Sequence, residues 1–133
     1  MKLTPEEILE GNKLIAVFMD WTKSPVHGWL PNGKEDRWNY GGDETLLFHD
    51  SWDWTMPVAD KINAMGKAYS LAVFKSYISL TIEKGGKFYK DFSYSHAEYI
   101  TSEQTGKEAM FKLLVSFVKW QNEQERNNNL KTE

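Results

Sequence analysis

His49, Asp50 and Asp53 form an H-D-x-x-D run inside the segment from His49 to Val58, which also carries Ser51, Trp52, Trp54, Met56 and Pro57. Imidazole and carboxylate side chains at this spacing can bind zinc, manganese or magnesium, or exchange protons as a general acid and base, and His27 is a further group of the same kind. The same residues have structural uses: Asp50 or Ser51 stands where a helix cap is wanted, and Trp54 suits a core position. The run is therefore read in two ways, as a metal site of His49, Asp50 and Asp53, or as a structural keystone. A second group, Trp29, Trp38 and Tyr40, lies among the turn formers Pro31, Asn32-Gly33 and Gly41-Gly42 with no periodic partner. Together with Trp52 these rings make a candidate binding surface, able to stack on a sugar, a base or a partner protein.

Other chemistries lack their signatures. Ser51 has no G-x-S-x-G elbow around it. Gly85-Gly86 reads as a hairpin turn rather than a phosphate-cradling strand-to-helix loop, so nucleotide hydrolysis is not expected. His96, between Ser95 and Ala97, receives no role. The chain has no cysteine, which excludes thiol nucleophiles, disulfides and Cys-based metal sites and makes a reducing cytoplasm the default compartment. Sixteen Lys and Arg against 19 Asp and Glu give a net charge of -3, with no electrostatic footprint for a phosphate backbone, so nucleic acid is not an expected partner. Met1–Glu7 turns acidic where a signal peptide would be apolar, and no run is long enough to span a bilayer, so no membrane partner is expected. No cofactor is implied.

The elements that must position these groups follow from pattern. The 133 residues, 14% of them aromatic, fit one domain with one core. Thr4-Pro5-Glu6-Glu7 is a capping box with proline at the first helical position, and it predicts a helix from about Pro5 to Trp21. Gly11 and Asn12 interrupt that helix, and the glycine reads as a point of close backbone approach. Residues 22–47 form a long aromatic and Gly-rich loop, in which Asn32-Gly33 suggests a hairpin pairing His27–Leu30 with Arg37–Tyr40. A second helix runs to about Met65, with Trp54, Val58, Ile62 and Met65 on one face. Pro57 implies either a kink at Asp53 or a helix that begins at Pro57. Residues 69–83 alternate as one strand, with Ala72, Phe74, Ile78, Leu80 and Ile82 on one side, and they return through Gly85-Gly86 to 87–94. Met110, Leu113, Leu114, Phe117 and Trp120 mark a last helix over about 105–125, before a disordered polar tail at 126–133. The predicted fold is a single α+β domain over 1–125, with the central hairpin at about 69–94 packed by three helices. An uncovered hairpin edge makes a homodimer through the sheet plausible.

The stretch Glu7-Ile8-Leu9-Glu10-Gly11-Asn12-Lys13-Leu14-Ile15-Ala16 with Phe18-Met19, then His49, Ser51-Trp52-Asp53-Trp54 and Met56-Pro57-Val58, resembles a family of short bacterial and phage proteins without known activity. The final helix, with Phe117-Val118-Lys119-Trp120, is similar too. The resemblance implies a bacterial or phage accessory protein and transfers no site residues. Three functions follow from the residues, led by a non-enzymatic module that presents the aromatic loop and the Trp52 region to a protein partner. The alternatives are a metal-assisted hydrolase using His49, Asp50 and Asp53, and a small-ligand or carbohydrate binder using Trp29, Trp38 and Tyr40.

Overall fold

Thr4 opens the first helix as its sequence requires. In the computed structural model, which describes residues 3–24, 26, 28–31, 41–66, 68–73, 77–84, 87–95 and 103–131, helix α1 spans Pro5–Phe18. The Thr4 hydroxyl accepts from the Glu7 amide at 3.1 Å, and the Glu7 carboxylate accepts from the Thr4 amide at 3.0 Å. Hydrogen bonding to the carboxylate, from the Thr4 amide first and then from the Thr4 hydroxyl, holds the Glu7 carboxyl below its usual range. The helix stops at Phe18, short of the predicted Trp21. Asp20 adopts a left-handed φ of 62°, its amide donates to Val17 at 3.0 Å, and the Trp21 amide donates to Ala16 at 2.9 Å. This is a Schellman turn with aspartate where glycine is usual, and it swings Trp21 back along the helix end. The Lys61 ammonium fastens the turn, donating to the Phe18 carbonyl and pairing with Asp20 at 3.3 Å.

Within the predicted long loop, β1 (Thr22–Ser24) pairs antiparallel with β2 (Gly28–Leu30). The pairing expected across Asn32-Gly33 falls outside the described residues. A 3-10 turn at Asp43–Thr45 leads through buried Leu46 and Phe48 to α2 (Trp52–Asn63). Helix α2 therefore begins at Trp52 rather than at Pro57, and the proline is accommodated inside it on an exposed face. Ser51 is the N-cap residue, but neither its side chain nor that of Asp50 caps the helix; Asp53 supplies the first turn's negative charge.

The alternation over 69–83 covers two strands rather than one. Residues Tyr69–Val73 form β3 and Tyr77–Lys84 form β4, paired antiparallel with Leu71 opposite Leu80 and Ala72 opposite Ser79. Pairing reverses the parity, so Tyr69 and Leu71 share a face with Leu80 and Ile82, and Ala72 lies on the other face, contrary to the single-strand reading. Strand β5 (Lys87–Ser95) completes the order β3-β4-β5, with an irregularity between Ile82 and Glu83. The edge of β4 that a two-stranded hairpin would leave open is thus occupied by β3, and among the described residues β3 and β5 are the outer strands.

Helix α3 spans Glu103–Lys131. It runs through 126–131, where a polar tail was expected, because no glycine or proline interrupts it after Gly106 and adding a turn to a formed helix is far easier than starting one. Phe111, Leu114 and Phe117 of α3 join Ile15, Val58, Ile62, Ile78 and Leu80 in one buried core. Gly11 is the close approach its sequence suggests: a Cβ there would stand 2.5 Å from Phe111 Cζ and 2.8 Å from Val115 Cγ2. Three helices around small antiparallel sheets make the α+β domain that the sequence predicts.

Candidate functional site

Each nominated side chain meets a different fate. His49 is half-buried between α1 and α3, with its ring edge-on to Phe111 at 6.0 Å. Asn12, only 1% exposed, donates through Nδ2 to the Leu46 carbonyl at 3.2 Å and faces His49 Nδ1 at 3.0 Å. A carbonyl only accepts, so the Asn12 atom beside Leu46 is its NH2, and His49 Nδ1 must then be the acceptor. The imidazole is therefore neutral with its proton on Nε2. Burial lowers the His49 pKa from its ordinary 6.5, opposed by the negative charge of Asp50. Asn12 Oδ1 is buried without a hydrogen-bond partner among the described residues.

Asp50 and Asp53 are exposed. Among the described residues no three His, Asp or Glu side chains gather as a metal would require, so His49, Asp50 and Asp53 do not converge as that reading demands. His27 lies outside the described residues. Sequence spacing suggests the cluster, but it does not show that His49 Nδ1 faces an amide from a helix 37 residues away.

The depressed His49 pKa carries a sign. The unfolded chain binds a proton more readily than the folded one, so this group's contribution to stability is complete above pH 6.5 and is lost as pH falls through the folded value. Urea unfolding between pH 7.5 and 5.5 should show the wild type losing stability relative to His49→Asn, which keeps an acceptor near the Nδ1 position. Parallel loss in both proteins would place the titration elsewhere.

Trp29, nominated as a surface ring, is 5% exposed and belongs to the core. Its Nε1 donates to Asp43 Oδ1 at 2.8 Å, the same oxygen receives Lys23 Nζ at 2.7 Å, and the Lys23 ammonium stands 5.7 Å from the Trp29 ring. Those two donors, lysine first, hold the Asp43 carboxyl below its usual range. A buried indole needs such an acceptor, and Asp43 provides it from the 3-10 turn. Trp38 and Tyr40 lie outside the described residues. Trp52 is half-buried against the core, its Cζ2 3.3 Å from where a Cβ on Gly106 would stand, and so it also helps to pack α2 against α3.

The aromatic site lies beside these candidates. Met19 and Trp21 from the end of α1, Phe48 from the segment before α2, and Asp53, Trp54 and Pro57 from α2 line an open cavity of about 280 Å³. Buried Phe48 stands 5.4 Å from Trp21 and, nearly perpendicular, 5.0 Å from Trp54; the two half-buried indoles are 5.4 Å apart. The sequence pattern places Trp21 in a regular helix, which hides its part in this site. The signal for it was Asp20, a residue type that tolerates the left-handed conformation and so permits the turn.

Comparison with known proteins gives no matching family model, no matching curated protein and no matching solved structure. No helix among the described residues is long and apolar enough to cross a membrane.

Proposed function

We propose that the chain is a non-enzymatic protein-interaction module, a bacterial or phage accessory protein of the cytoplasm, whose contact surface is the Trp21–Trp54 cavity. The observation that carries this reading is the cavity itself, about 280 Å³ with two tryptophans assembled from separate segments. Concave sites lined by tryptophan are where partner side chains anchor most strongly, since a rigid indole offers large contact area for little ordering cost. Next to the lining residue Pro57, Met56 is an exposed apolar side chain. The resemblance of the Glu7–Met19 and His49–Val58 stretches to short bacterial and phage proteins supports the accessory role. The aromatic loop keeps a smaller part than its sequence suggests, because Trp29 is committed to Asp43.

A displayed random-peptide selection against the purified chain tests the reading. Enrichment of a motif whose binding is lost in Trp54→Ala and Trp21→Ala, with both variants still folded by circular dichroism, is the expected result. Peptides that bind the variants as well as the wild type, or no enrichment, would sink it.

A further inference from the structure

We infer that the Trp21–Trp54 cavity takes an arginine side chain of its protein partner; this rests on the docking reading above and names the chemistry of the occupant. Three observations lead there. The half-buried walls are indole rings, whose negative faces attract cations and stack well with a planar one. Asp53 lines the same cavity, is exposed, and makes no hydrogen bond or ion pair among the described residues. Pro57, also in the lining, has no N–H, so the backbone carbonyl of Asp53 lacks the bond that a regular helix supplies from four residues on. Asp53 thus brings a carboxylate, and a carbonyl without its usual helical donor, to a lining that also holds two indoles.

That inventory fits a guanidinium better than its competitors. A guanidinium is flat enough to lie against an indole while its N–H groups fork toward a carboxylate, and it sheds water more easily than an ammonium. An apolar side chain would fill the cavity but leave Asp53 desolvated and unpaired, which opposes binding. An acidic side chain would meet the Asp53 charge.

Acetyl-Gly-Arg-Gly-amide is titrated into the ¹⁵N-labelled chain, following the indole N–H signals of Trp21 and Trp54, assigned through Trp21→Phe and Trp54→Phe. The comparison peptides carry lysine, citrulline or leucine in place of arginine. Saturable shifts confined to those two indoles, about tenfold tighter for arginine than for its neutral isostere citrulline, are expected, with that preference abolished in Asp53→Asn while the variant stays folded by circular dichroism. Citrulline binding as tightly as arginine, lysine binding more tightly, or no saturable shift with arginine overturns the inference. Leucine binding best also overturns it, yet leaves the docking reading standing; a selection without any cavity-dependent motif removes the docking reading itself.

Discussion

Phe117→Ala is expected to lower the unfolding free energy by about 3–5 kcal/mol, the largest single-residue loss in this chain. Phe117 is fully buried in α3 and stands edge-on to Phe18 of α1 at 5.8 Å, Tyr69 of β3 at 6.3 Å and Phe92 of β5 at 6.2 Å, with Trp120 tilted beside it at 6.2 Å. Truncation removes the ring's transfer energy and leaves a void bordered by rings from three other elements, which cannot all collapse inward at once. Since domains of this size hold roughly 5–15 kcal/mol in total, a large part of the native population is at stake. Urea unfolding should show a lower midpoint with an unchanged slope, and Phe117→Leu should cost less. A loss below about 1 kcal/mol would mean that the ring cluster does not hold α3 to the sheet.

Gly28→Ala is the second large effect, and its cause is backbone. Gly28 has a φ of 81°, and a Cβ there would stand 2.0 Å from the Gly41 carbonyl oxygen and 2.5 Å from its Cα. The left-handed conformation alone costs a non-glycine residue about 1–2 kcal/mol. Relieving the overlap must push the chain at 41–45 away, which threatens the Trp29 amide bond to the Gly41 carbonyl at 2.8 Å and the Asp43 acceptor that makes burial of the Trp29 indole tolerable. A total loss of about 2–4 kcal/mol is expected, with the added strain typical of overpacking. Tryptophan emission should shift to the red as Trp29 gains water, whereas Gly66→Ala, where φ is 146° but nothing lies within 4 Å of the added carbon, should lack that spectral change. An unshifted spectrum together with wild-type stability would contradict the contact.

The sequence was legible where its signals were local. The capping box at Thr4, the close approach at Gly11, the apolar face Trp54–Val58–Ile62–Met65 and the α+β class could all be read from spacing. It misled where two segments pair. Tyr69–Val73 and Tyr77–Lys84 look like one alternating strand because each half alternates, and only their antiparallel pairing reveals which parity shares a face. Residues that serve as acceptors across long separations were invisible in the same way. Nothing near Trp29 announces that Asp43 will take its N–H, and nothing near His49 announces that an asparagine mid-helix in α1 will meet its imidazole. The candidate site followed suit: Asp53 and Trp54 were visible in a dense segment, while Trp21 reaches them only through the Schellman turn at Asp20.

The contact between Gly11 and Phe111 joins residues about 100 positions apart, and that separation sets an order of events during synthesis. At roughly 5–20 residues per second, α1 leaves the ribosome on the order of 5–20 s before the helix that covers its inner face. For that interval Ile15 and Ala16, buried in the finished chain, have no α3 to close over them. The early chain is accordingly the stage most exposed to chaperone capture or aggregation, and conditions that slow elongation between the sheet and α3 should lower soluble yield more than any surface substitution does.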